Sequence, residues 1–415
     1  MDAPEGQVEF AAHEELVLRI CAAPDADHAA SMALLEAEEW DVLAAIAEDK
    51  RLSALVLRAV DKAQAAAMLP PAAFARLSGA SQWHALYVLK QMAAVKRLIR
   101  ILAAQGFDPI LLKGFALAHA VYPDRTLRPL RDVDLLLPTE QAQQAQDFLI
   151  ANPHYRIAPW AGSYGLEFGH QLPEIQDVDH DLTIEIHHRL NARNWEEEPL
   201  LLAQIRAEPT SLTMMGLNVR IPSARTNFLH LLEHATLHHA FENGPLVLAD
   251  FHFLARHVAD EWPWIEAQCD RMGLARALRL VATVADDLGA DWVPAHLVDR
   301  SQVGASHIAT AKAAMLQDRE KSERNKLLRR LEAEGQGRKG WRAALARALR
   351  PNPYQLAKIA GCRPDQARRW LHYPVWLIQS GRRFLAASSN SDSLLAAQRE
   401  AGMVQWLAGA EAPRN

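Results

Sequence analysis

Cysteine is scarce in this chain. Only Cys21, Cys269 and Cys362 occur among 415 residues, far apart and outside any CxxC or Cys/His spacing. That argues against a disulfide framework and a thiolate zinc site and fits a reducing compartment. Long apolar runs are missing too. None approaches the ~18–20 residues that a membrane span needs, and the acidic N-terminus has no basic segment leading into an apolar one. A soluble, cytoplasmic protein without a membrane partner is expected. No GxxxxGK[ST] string occurs, so a P-loop kinase has no support.

What the chain does contain is enough apolar residue, 50% against 23% charged, for a substantial core. Its length allows two or three domains. The formal net charge of −5 hides an asymmetry: residues 1–50 carry thirteen acidic and two basic side chains, residues 312–383 eighteen basic and six acidic. The basic region has the charge to face an anionic partner such as RNA, although solvated helix faces give the same composition. Trp370, Tyr373 and Trp376 are its few aromatics suited to stacking on single-stranded bases.

Periodicity divides the chain into four parts. Residues 1–106 repeat apolar positions at spacings of three and four, predicting a helical region with a new helix at "LPPAAF" and a stop at Gly106. From 107 to 198 short apolar or alternating strands ("DPILLKG", "DVDLLLP", "YRIAPW", "LEFGHQLPEIQ", "LTIEIHHRL") interleave with two helices, the second with Thr139 as candidate N-cap. Residues 199–300 read as helical again, and 301–415 as a basic helical region. The class expected is α+β: a small mixed-sheet core flanked by helical regions.

The chemistry sits in that core. In "LRPLRDVDLLLP" (127–138), Asp132 and Asp134 alternate inside an apolar strand, so both point to one face. Burying two carboxylates there is costly unless something positive meets them. Glu185 alternates with apolar residues in the same way in "LTIEIHH". Three carboxylates on neighbouring strands suit two divalent cations that bridge triphosphate oxygens and clamp an in-line displacement at phosphorus. Upstream, "LLKG" runs a strand into Gly114, where a glycine lets the backbone approach a phosphate closely. A structural alternative pairs Asp132 and Asp134 with Arg128 and Arg131 as ordinary ion pairs.

A strand ending in glycine, a short helix and then an Asp-apolar-Asp strand resembles the DNA polymerase β-like nucleotidyltransferase superfamily. The wider stretch, "LLKGFALAHAVYPDRTLRPLRDVDLLLP" with "IEIHHRL" and "LHLLEHATLHH…LAD" downstream, is similar to the uncharacterised bacterial nucleotidyltransferase family called the NTP_transf_5 type, over roughly residues 40–300. The resemblance implies transfer of an NMP group from an NTP with two Mg2+ ions, Mn2+ being the other candidate. Asp132, Asp134 and Glu185 would be catalytic and hold the metal, with Lys113, Gly114, Phe115, Arg128 and Arg131 around the nucleotide. The superfamily's usual Gly-Ser is here Gly114-Phe115, preceded by Lys113, which leaves the phosphate contacts open.

Family members occur in clusters for peptide natural products and exopolysaccharides, implying a peptide, small-molecule or sugar acceptor. Alternatives are an RNA- or tRNA-directed or toxin-like transferase, acting through the basic 312–383 region, and a non-catalytic nucleotide-binding protein of the same fold. His230, His234 and His238 fall at i, i+4 and i+8 on one helix face, with Asp250 on the next helix. With His187 they are candidates for substrate contact. A histidine/aspartate metal site of the phosphohydrolase kind, or plain packing, are the other readings.

Overall fold

The computed structural model describes residues 9–161, 166, 169–191, 195–214, 216–318, 351, 353–362, 366–388 and 391–409. Five helices lead: α1 (Ala12–Ala22), α2 (Ala29–Met32), α3 (Ala37–Asp49), α4 (Ser53–Lys62) and α5 (Pro71–Ala104). The "LPPAAF" signal is used as expected, with Pro71 at the first turn of α5. The next amphipathic segment does not start a separate helix but continues α5 until Gly106, whose φ of 80° ends it.

The α+β unit then follows its predicted order: β1 (Ile110–Leu112), α6 (Lys113–Ala120), β2 (Asp132–Leu136), α7 (Thr139–Ile150), β3 (Tyr155–Ile157), β4 (Ile175–Asp177) and β5 (Leu182–His187). Thr139 is the first helical residue of α7 rather than its cap. Pro138 holds the cap position, and no side chain caps this end.

Residues 199–300 are not wholly helical. After α8 (Glu198–Ala207) come β6 (Pro209–Met214) and β7 (Leu217–Pro222), an antiparallel hairpin that turns through Gly216 (φ 74°). β7 pairs parallel with β1, so the sheet has seven strands in the order β3-β4-β5-β2-β1-β7-β6, with parallel and antiparallel neighbours. α9 (Ala224–Glu233), α10 (Leu246–Ala255), α11 (Trp262–Arg271), α12 (Ala275–Asp287) and α13 (Ala305–Leu316) follow. Further helices span Pro353–Ala360, Tyr373–Ser388 and Ser391–Leu407. Half of the basic stretch, including 319–350, lies outside the described residues. No described helix is long and apolar enough to cross a membrane.

Strand alternation gives the sheet two different faces. Leu111, Val133, Leu135, Ile184 and Ile186 face a core shared with α7 and the C-terminal half of α5, from Val88 to Leu102. Ile110, Leu112 and Leu136 face the larger core of the helical body, built from α1, α3, α4 and α9–α13. Asp132, Asp134, Glu185 and His187 are on this second side, so the charged residues lie where sheet and helical body meet.

Asp25 ties several elements of that body together. Arg58 of α4 donates to it at 2.8 Å and Arg256 at 2.7 Å, Lys62 of α4 also bonds it, and His252 of α10 lies 3.3 Å away. Burial opposes its ionised form, yet these cations hold Asp25 well below the usual carboxylate range. Its stabilisation is therefore present above the unfolded pKa of about 4 and fades as pH falls further, towards the native value. Asp25→Asn is expected to cost about 1–2 kcal/mol at neutral pH, discounted for partial exposure. Urea unfolding between pH 7 and 3 checks this: the variant should lose less stability than the parent on acidification.

Candidate functional site

β2 and β5 run parallel in a register that sets Asp134 beside Glu185 and Asp132 beside Thr183. The three carboxylates expected to act together therefore share one sheet face on adjacent strands. His187, two residues beyond Glu185, shares that face. Its Nε2 is 2.8 Å from Asp134 Oδ1 and 3.3 Å from Glu185 Oε2. The carboxylate can only accept, so Nε2 carries the proton. In the neutral ring this leaves the lone pair on Nδ1, an atom with no hydrogen-bond partner among the described residues.

The side chain that meets the buried carboxylates is Lys113. Its Nζ donates to Asp134 Oδ1 at 2.7 Å. It was expected to face a triphosphate, and here it is turned inward. Lys113 leaves β1 with φ 50°, a left-handed conformation that costs a non-glycine residue ~1–2 kcal/mol. Burial disfavours its charge, but Asp134 and Glu185 outweigh burial and raise its pKa. Burial also works against ionised Asp134, while Lys113 and His187 hold it well below its ordinary value. Asp132 has no such partner. Burial, then Asp134 and Glu185, push it up to about 7.

The arrangement fits a divalent cation. Asp134, Glu185 and, once its Nε2 gives up the proton, His187 each offer a ligand atom within 4.8 Å of the others, and Asp132 lies on the same sheet face. Carboxylate oxygens suit Mg2+ or Mn2+.

Arg128 is engaged elsewhere. Its Nε and Nη2 donate to Asp250 Oδ1 and Oδ2 at 2.9 and 2.8 Å, and Tyr122 Oη donates to Oδ1 at 2.6 Å. Asp250 thus joins α10 to the loop before β2 and is not gathered with the histidines. The same guanidinium explains Gly114: a Cβ there would lie 3.0 Å from Arg128 Cζ and nearer still to Nη1. Gly114 makes room for an arginine, while the left-handed turn expected of a glycine falls on Lys113. Phe115 is buried in the core on the opposite side of the sheet, away from the carboxylates. Arg131 is exposed. Arg51 and Tyr87, which no sequence pattern marked, join it near Asp132, whose charge both of them feel. Tyr87 is anchored by its hydroxyl, which donates to the Asp181 carbonyl at 2.9 Å.

A family model described as an uncharacterised nucleotidyltransferase matches residues 36–289, which spans α3 to α12 and the whole carboxylate site. The chain belongs to this family. No curated protein and no solved structure matches it. Nucleotidyl transfer is the activity class that goes with the family.

In this family member the helical half contributes a layer of histidines over the sheet. His230 is buried, and its Nε2 has no hydrogen-bond partner among the described residues. Burial, then Lys113 and His187, lower it to about 3. His170 lies between the two halves, its ring tilted against that of His187 at 5.2 Å and edge-on to that of His238 at 5.1 Å. Its place within "FGHQLPEIQ" gave no sign of this. Gln171 just after it bridges to His187, and that contact brings His170 in.

Asp250→Asn is expected to cost about 3–5 kcal/mol, because Arg128 is left buried without its counter-charge. Tyr122→Phe should cost about 1 kcal/mol, and Gly114→Ala about 1–3 kcal/mol by displacing Arg128. Urea unfolding ranks the three. Parental stability in Asp250→Asn would contradict the clamp.

Proposed function

We propose that the protein moves an NMP group from an NTP to a peptide, small-molecule or sugar acceptor with the help of divalent cations, Mg2+ by preference. The observation that carries this reading is the β2–β5 register, which sets Glu185 beside Asp134 on the same face as Asp132, in a chain of the nucleotidyltransferase family. Asp132, Asp134 and Glu185 would hold the cations. Bound there, they supply charge neutralisation at the triphosphate and clamp the attacking and leaving oxygens.

The remaining steps belong to the chain's own residues. His187 fixes Asp134 through Nε2. Lys113 holds Asp134 ionised against burial, and its ammonium is within reach of an anionic ligand that enters beside it. Glu185 is the more open of the two paired carboxylates, 16% exposed at its side chain against 2% for Asp134. That makes it the better placed to take the acceptor's proton. Arg131 and Arg51 stand near Asp132 and meet the outer phosphates.

The test incubates the protein with each labelled NTP, Mg2+ and cell extract, followed by size fractionation of the labelled product. Label is expected in a low-molecular-weight or peptide fraction. Glu185→Gln should lower transfer by about 100-fold or more while keeping the parental thermal transition. Absence of NTP–Mg2+ binding by isothermal titration, with no transfer to any fraction, would overturn the reading. Label appearing in RNA would redirect the acceptor.

A further inference from the structure

The histidines that follow α9 form a second cluster whose geometry comes from a change in helix winding. In an α-helix successive residues turn about 100°, so His234 and His238 would share a face while His239 would sit about 140° away. The structure winds His234–His238 as a π-turn instead. A turn closed by i→i+5 bonds takes more residues per revolution, so positions i+4 and i+5 fall on either side of position i. His238 and His239 are thereby both brought to His234. The His234 ring is 5.3 Å from that of His238 and 4.4 Å from that of His239, and the last two stack at 4.6 Å.

One ring nitrogen of each lies within 4.8 Å of the other two. The chain leaves this turn through Ala240 and Phe241, consecutive non-glycine residues with φ 49° and 66°. Left-handed residues of this kind are strained and persist where the surroundings fix them. Phe241 is fully buried, which fixes the exit. His234 is held neutral by burial and then by His239 and Lys113, the form in which an imidazole has a lone pair to give.

We propose that His234, His238 and His239 bind one transition-metal ion of the Zn2+ class, separately from the carboxylate site and with a coordination position left open. Three imidazoles favour Zn2+, Co2+, Ni2+ or Cu2+ over Mg2+. Three protein nitrogens are the number found where a fourth position takes water or substrate. Histidine's broad χ2 torsion lets the three nitrogens close to the spacing that ~2.0–2.1 Å bonds require. The adjoining His170 links this site through His187 to Asp134, placing the ion beside the carboxylates and not among them. The proposal does not rest on the nucleotidyl-transfer reading.

The experiment uses tag-free full-length protein, stripped with a chelator and titrated with Co2+ and with Zn2+. Metal content is read by mass spectrometry and the Co2+ site by its visible absorption. The parent is expected to take up one equivalent of Co2+ with the strong absorption of a four-coordinate site, undisplaced by excess Mg2+. Asp134→Asn should keep that equivalent. His234→Ala and His239→Ala should each weaken it by at least tenfold, with near-UV circular dichroism confirming the fold. His239 is half-buried, so its variant serves if His234→Ala unfolds. No uptake by the parent, unchanged uptake in His239→Ala, or loss of the equivalent in Asp134→Asn would each overturn the proposal.

Discussion

Asp134 is buried where a sheet meets a body of helices, and an ionised carboxylate in such a place requires a cation within hydrogen-bond reach. Much of the local structure follows from that requirement. Lys113 supplies the charge from the adjacent strand and accepts an unfavourable backbone conformation to do so. His187 supplies a second donor two residues beyond Glu185. Asp132 has neither, and burial, followed by the neighbouring Asp134 and Glu185, makes it reluctant to ionise.

The joint between sheet and helices is held independently of this charge balance. Arg128, whose position just before the aspartates suggests a phosphate ligand, spends its fork on Asp250, and Gly114 gives it space. The loop that delivers Asp132 is therefore positioned by a buried ion pair a few residues away. Such a division keeps the scaffold that presents the carboxylates independent of the partners they take.

The strands carrying the carboxylates were legible in the sequence because alternation is a local property. Leu135, Leu137, Ile184 and Ile186 mark one face and so assign Asp132, Asp134 and Glu185 to the other. The β6–β7 hairpin was also written locally, in "PTSLTM" and "LNVRIP" around Gly216, but the strongly helical segments around it masked the signal. Partnerships made in space were not legible. Asp250 stands after a row of histidines in sequence, yet it pairs with an arginine 122 residues earlier. Phe115 follows Gly114 directly and still ends on the far side of the sheet. The π-turn is hidden for a different reason: nothing in "HLLEHATLHH" departs from even helical spacing, and a single extra residue in one turn regroups its histidines.

α5 is 34 residues long, a rod of roughly 50 Å at the usual rise per residue. Ala73 and Leu77 near its start belong to the core of the helical body, while the stretch from Val88 to Leu102 walls the sheet's other face. The change of texture at residue 107 is therefore not a place where the chain divides into self-sufficient pieces. A fragment starting there would carry every carboxylate of the site yet present bare apolar strands to water. The two cores share a beam and should melt as one.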